Sequence, residues 1–64
     1  MQNGDLIYMK SKLRDSEEEY IGLLISQERV GSKENTSVLY DVLLSDTNEI
    51  LTLSDIYFEI WRIE

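Results

Sequence analysis

Apolar residues recur at every second position in three segments of the second half of the chain, Ser37–Leu44, Glu49–Leu53 and Phe58–Ile63. A period of two is that of a strand with one buried face, so each segment predicts a β-strand. Between the first two strands, Asp46-Thr47-Asn48 predicts a hairpin turn, because Asn tolerates the left-handed conformation that a three-residue loop needs at its last position. Ser54-Asp55-Ile56-Tyr57 predicts one tight turn before the last strand, capped by its serine or its aspartate.

The alternation also assigns the side chains of these strands to two faces. The core face of the first of them is predicted to carry Val38, Tyr40, Val42 and Leu44. Around the last strand, the core face is expected to carry Ile56, Phe58 and Ile60, and the opposite face Tyr57, Trp61 and Ile63. A domain of this size is not expected to bury both faces by itself.

The first half of the chain predicts a strand at Leu6–Lys10, a polar loop at Ser11–Glu18 and a second strand at Glu19–Glu28. The second strand has an alternative, because Ser16 and the glutamates after it resemble the start of a helix over 17–30 packed on a four-stranded sheet. Gly22 favours the strand, since an isolated glycine weakens a helix by about 1 kcal/mol relative to alanine. In a strand, the same glycine marks a bend or a close approach of two backbones.

This order of elements resembles the SH3-like barrel, and short motifs support the resemblance. Gly4-Asp5-Leu6-Ile7-Tyr8 is similar to the opening of KOW-type barrels, and Tyr20–Ile25 to their glycine-bearing second strand. Tyr40–Asp46 followed by Leu53–Ile56 is similar to their ending. The resemblance implies one all-β domain over residues 1–64, a five-stranded barrel with a short 3-10 turn before the last strand. Small proteins of this pattern are common in tailed bacteriophages, which implies a phage-encoded adaptor, minor structural or host-modulating protein.

Two departures from that pattern narrow the expected function. Asn48 stands one place after the expected turn glycine, and Leu44 replaces the usual tryptophan. The chain has no proline, and no tryptophan directly follows the second loop, whereas a proline-peptide-binding SH3 domain requires both. Recognition of proline-rich peptides is therefore not expected.

Size and charge limit the partners of the chain. Its 64 residues hold 13 acidic and 6 basic side chains, a net charge of −7, and no Cys or His. The negative charge therefore disfavours nucleic acid and anionic lipid as partners and favours basic protein surfaces. The absence of disulfides and of a signal-like or membrane-spanning segment predicts a cytoplasmic protein, in the host cytoplasm or in the virion if a phage encodes it.

Neither catalysis nor a cofactor is expected. The chain lacks imidazole and thiol groups, and its glycines are isolated rather than arranged as a phosphate-binding loop. The carboxylates at 15 and 17–19 lack the spacing of a calcium loop, so no metal site is predicted. Lys10, Lys12 and Arg14 are expected to pair with these carboxylates across the first loop.

The aromatic residues indicate a protein-binding site instead. Exposed Trp and Tyr often dominate protein interfaces, so the predicted contact residues are Tyr57, Trp61 and Ile63, flanked by Tyr8 and Tyr20. In the alternative, the first loop folds over this face and buries it. The predicted function is a non-enzymatic protein-binding module whose partner is another protein or a second copy of the chain. The competing hypothesis is an acidic inhibitor that mimics nucleic acid through Asp41, Asp46, Glu49, Asp55 and Glu59.

Overall fold

Five antiparallel strands form one sheet in the computed structural model, which describes residues 1–63. They are β1 (Leu6–Ser11), β2 (Glu19–Gly31), β3 (Thr36–Leu44), β4 (Ile50–Ser54) and β5 (Phe58–Arg62). Their order across the sheet is β4-β3-β2-β1-β5, so β4 and β5 are its two edges and do not pair with each other. The predicted all-β fold with five strands is confirmed. The alternative with a helix over 17–30 is wrong, since that segment lies almost entirely within β2.

Gly22 lies where this segment closely approaches a neighbouring strand. It lies opposite Ile7 of β1 and Leu44 of β3, in the middle of the sheet. A Cβ atom at this position would overlap the carbonyl oxygen of Leu43 and the side chain of Val42. Strand β2 therefore approaches β3 more closely than a larger residue allows, as the isolated glycine predicts.

The core lies on one side of the sheet. Its buried side chains are Ile7, Met9, Leu24, Tyr40, Val42, Leu44 and Leu53. Half-buried side chains pack around them from all strands but β1, namely Tyr20, Val38, Leu51, Phe58 and Ile60. Each fully buried aliphatic side chain contributes about 1.5–3 kcal/mol to folding. All five strands contribute to this one cluster, and residues 1–63 contain no helix that packs on it.

A register shift divides β2 into two parts. Leu24 lies opposite Val42, whereas Ser26 lies opposite Asp41, so Ile25 is an extra residue in the ladder. The part before the shift pairs with β1 and with the end of β3, and the part after it pairs with β3 alone. Such a bulge bends a strand and increases its twist.

The hairpin between β3 and β4 has the predicted left-handed residue. Asn48 has φ 59°, and its amide donates to the carbonyl of Leu44 at 3.1 Å. Leu44 in turn donates to the carbonyl of Glu49 at 2.9 Å, so the loop comprises residues 45–48. Asn48 is its last residue, as predicted, but the loop has four residues rather than three.

The turn between β4 and β5 is closed by Ser54. Its carbonyl accepts from the amide of Tyr57 and its hydroxyl accepts from the amide of Ile56, both at 3.2 Å. Asp55 instead extends the β3–β4 pairing, since its carboxylate accepts from the amide of Val38 at 3.1 Å. The predicted place of Ile56 in the core is wrong: it lies in this turn, where strand alternation no longer applies, and is exposed. Phe58 and Ile60 pack on the core as predicted.

Candidate protein-binding face

The side of the sheet opposite the core is also apolar. Strand alternation places one or two large apolar side chains of every strand there. We call the part of this set that lies on one side of Asp41 the outer face, and its members are Leu6, Tyr8, Ile21, Leu23, Leu43, Ile50, Trp61 and Ile63. Leu39 lies beyond Asp41 on β3 and is not part of it. Five of the members are exposed, and Leu6, Tyr8 and Leu43 are half-buried by their neighbours. The outer face therefore presents an apolar surface to solvent across the full width of the sheet.

Strand register aligns five of these residues in one row. Leu23 lies opposite Leu6 on one side and opposite Leu43 on the other, and Leu43 lies opposite Ile50. Ile63 completes the row, because its amide donates to the carbonyl of Leu6 at 2.8 Å. Neighbouring strands are about 4.8 Å apart, so cross-strand side chains in such a row lie close enough to form a continuous surface.

The aromatic residues form a second row beside the first. Tyr8 lies opposite Trp61 on β5 and opposite Ile21 on β2. The ring centroids of Tyr8 and Trp61 are 5.5 Å apart, with an interplanar angle of 30°. Partial burial raises the pKa of the Tyr8 hydroxyl, and the neighbouring Glu19 carboxylate raises it further. Trp61 remains 47% exposed although one side of its ring contacts Tyr8.

The structure brings together three of the five predicted contact residues. Trp61, Ile63 and Tyr8 lie on the outer face. Tyr57 is exposed in the β4–β5 turn. Tyr20 belongs to the core side of β2, where its ring centroid is 6.1 Å from that of Phe58, although it shares with Tyr8 the lining of a cleft described below. Tyr20 follows Glu19 by one position on the strand, so its side chain points to the face opposite that of the glutamate.

Sequence reasoning missed the aliphatic part of the outer face. Leu6, Ile21, Leu23, Leu43 and Ile50 had no predicted contact role. The signal was present in the runs at 23–25 and 42–44, which are apolar at consecutive positions. Consecutive apolar residues on a strand point to opposite sides, so these runs indicate that both faces of the sheet are apolar.

The first loop does not cover this surface. Lys12 fixes the start of the loop to the β4–β5 turn: its amide donates to the carbonyl of Tyr57 at 2.8 Å, and its ammonium group donates to that of Asp55 at 2.6 Å. Leu13, further along the loop, is 59% exposed. Lys10 lies in register with Glu19 on one side and Glu59 on the other. The loop is therefore anchored near the turn, and Trp61 stays accessible.

A cleft opens at one end of the outer face. Its volume is about 340 Å³, and its lining residues are Tyr8, Glu19, Tyr20, Ile21, Ser45 and Asp46. Ser45 donates from its amide to the carbonyl of Ile21 at 2.9 Å, which holds the β3–β4 loop against β2. This contact places Asp46 on the same cleft as Glu19. The cleft thus combines apolar walls with two carboxylates.

A polar ladder crosses the outer face at the other half of the sheet. Asp41 on β3 accepts hydrogen bonds from Thr52 on β4 at 2.7 Å and from Ser26 on β2 at 2.8 Å. These bonds stabilise the charged carboxylate, and the bond from Thr52 contributes most to lowering the pKa of Asp41 below its usual value. The apolar surface therefore ends at the row formed by Ser26, Asp41 and Thr52.

Residues 1–63 contain no group of three or more carboxylates positioned to bind a metal ion. In the same residues, no helix is long and apolar enough to cross a membrane. Comparisons with models of protein families, with curated proteins and with solved structures found no match to this chain.

Proposed function

We propose that this chain is a non-enzymatic protein-binding module that contacts its partner through the outer face. The observation that carries the proposal is the pair of apolar rows, which cross all five strands and are left uncovered by the first loop. Single exposed apolar residues are normal on a protein surface, but contiguous apolar patches usually mark interaction sites.

Trp61 is the expected centre of binding energy. Trp and Tyr are enriched among the few residues that dominate interfaces, and truncating such a residue costs about 2 kcal/mol or more. Its contact with Tyr8 restricts the ring before binding, so little conformational entropy is lost when a partner covers it. The aliphatic row beside it adds apolar area without a requirement for precise hydrogen bonding.

Charge favours a different protein over a second copy as the partner. Each copy carries a net charge of −7, and Glu19 and Glu59 lie beside the aromatic row. Two copies joined face to face would oppose these carboxylates, which disfavours association at low salt. A partner with an apolar surface complements the two rows, and basic residues at the rim of that surface complement the carboxylates.

The test is selection of ligands from a random-peptide display library on the folded chain, followed by affinity measurement for the enriched peptides. We expect peptides that combine apolar and basic residues, and we expect the Trp61→Ala variant to bind them at least about 30-fold more weakly. Leu13→Ala is the matched control, because Leu13 is an exposed apolar residue outside the outer face. Equal binding to the native chain and to a folded Trp61→Ala variant would exclude the outer face as the contact surface.

We also propose that the sheet is a partly open SH3-like barrel, the fold implied by the resemblance of its motifs. Three features support it: the order β5-β1-β2-β3-β4, the long β2 shared by two parts of the sheet, and the single turn before β5. The resemblance is also the sole basis for a phage-encoded adaptor, which the neighbouring genes would test.

The competing function, an acidic inhibitor that mimics nucleic acid, has less support. Asp41 is held by Ser26 and Thr52, and the Asp55 carboxylate accepts the amide of Val38. Carboxylates with these structural roles are less available to a basic enzyme than freely exposed ones. A steep loss of affinity with salt for every enriched peptide, without dependence on Trp61, would favour this function instead.

A further inference from the structure

We infer that the cleft lined by Tyr8, Ile21, Glu19 and Asp46 receives an arginine side chain of the partner protein. The inference rests on the proposed function and specifies one contact within it. The cleft lies at one end of the aromatic row, so a ligand that covers Trp61 and Tyr8 reaches it without leaving the surface.

The two carboxylates come from different elements that the backbone holds together. Glu19 begins β2, and Asp46 lies in the β3–β4 loop, which the hydrogen bond from Ser45 to Ile21 fixes beside β2. The side chains that line the cleft include no cation. Lys10 lies opposite Glu19 in the β1–β2 register, but it is not part of the lining. The negative charge of the cleft is therefore not neutralised from within.

The walls of the cleft favour arginine among the possible cations. Tyr8 and Ile21 lie side by side on the outer face and supply an apolar wall. A guanidinium group is planar and weakly hydrated, so it stacks on such a wall at a lower desolvation cost than an ammonium group. It also presents several donors, so it can bond to more than one acceptor at once, which suits a cleft whose lining includes two carboxylates. The cleft volume of about 340 Å³ is within the range of small-ligand sites.

The test uses two peptides that differ only in charge at one position. They are acetyl-Gly-Leu-Arg-Leu-Gly-amide and its counterpart with citrulline, the neutral isostere of arginine. Binding is followed by amide chemical shifts in nuclear magnetic resonance, which detects weak complexes. We expect the arginine peptide to bind at least about fivefold more tightly at low salt, since it gains two ion pairs at a partly exposed site. The largest shifts are expected at residues 19–21 and 45–46.

The double variant Glu19→Gln, Asp46→Asn should remove the preference for arginine, so that the two peptides bind it with equal affinity. Glu34→Gln is the matched control, because Glu34 is exposed in the β2–β3 loop, outside the cleft. If the double variant keeps the full preference, or if both peptides bind native protein equally, the arginine site is wrong.

Failure of this inference is distinguishable from failure of the proposed function. Equal binding of the two peptides, together with loss of both in Trp61→Ala, overturns the arginine site and leaves the outer face as the contact surface. If neither peptide binds but library-selected peptides still require Trp61, the arginine site is likewise wrong and the outer face is kept as the contact surface. An arginine preference that is unaffected by Trp61→Ala supports the cleft and overturns the larger surface.

Discussion

At the scale of single residues, Gly22 shows how one position constrains the sheet. A methyl group there would overlap β3 backbone, so the Gly22→Ala variant must separate β2 from β3 or fail to fold. We expect a loss of about 2–3 kcal/mol in the free energy of unfolding, comparable to severe overpacking of a core. Chemical denaturation of the variant measures this loss.

Gly4→Ala is the control for that experiment. Gly4 has φ 96°, but no atom lies within 4 Å of the position that a Cβ would occupy. Its substitution therefore measures the cost of a left-handed backbone alone, about 1–2 kcal/mol. If Gly22→Ala is no more destabilising than Gly4→Ala, the close approach of β2 and β3 does not limit stability.

Residue-level reasoning from sequence succeeded where backbone geometry selects the residue. Gly22 and Asn48 were predicted because few residues tolerate a close backbone approach or a positive φ. It failed for Ile56, whose apolar character matched the strand period although the chain turns there. The turn at residues 54–57 was itself predicted, so the error was to extend the strand period across it to Ile56.

At the scale of elements, Asp41 joins three strands through its two hydrogen bonds. Because these bonds lower the pKa of Asp41 in the folded protein, they stabilise the fold fully above the ordinary aspartate pKa of about 3.9. Their contribution is lost as the pH falls through the lower, folded-state pKa. We therefore expect the stability advantage of the native chain over Asp41→Asn to be constant near neutral pH and to decrease below about pH 4.

A carbon-detected titration of the Asp41 carboxyl group provides the direct measurement. Thr52→Val should return the pKa of Asp41 toward its ordinary value by more than Ser26→Ala, because the Thr52 bond is the larger cause. No change in either variant would mean that the ladder from β2 to β4 does not stabilise the charged carboxylate.

The elements themselves were largely predictable. The three strands of the second half begin and end within about one residue of their predicted bounds, because period, turn residues and β-propensity agree there. The first half was ambiguous, since capping residues before Glu19 favour a helix and Gly22 favours a strand. Pairing with β1 and β3 on both sides decided the outcome, and such pairing is not visible in one segment alone.

At the scale of the whole molecule, charge and apolar surface act in opposite directions. A net charge of −7 keeps copies apart, whereas the outer face favours their association. We expect weak self-association to increase with sodium chloride concentration, because salt screens the repulsion and leaves the apolar attraction. Sedimentation equilibrium of the native chain and of Trp61→Ala measures this effect, with the variant showing the smaller increase.

Self-association that decreases with salt would contradict the opposition between charge and apolar surface. It would also indicate an interface built on ion pairs.

The outer face could be predicted from the sequence only in part. The alternation showed that Trp61 and Ile63 lie opposite the core, but the rows depend on strand order and register, which only the assembled sheet defines.

The pairing of β1 with β5 has a kinetic consequence. Ile7 pairs with Arg62, so the sheet brings together the two ends of the described chain. Such contacts carry a large loop-closure entropy, and domains rich in them fold in milliseconds to seconds rather than microseconds. During synthesis on the ribosome, β1 cannot complete its pairing until residues 58–62 have emerged. Until then, one edge of β1 has unpaired backbone groups, which can pair with a strand of another chain.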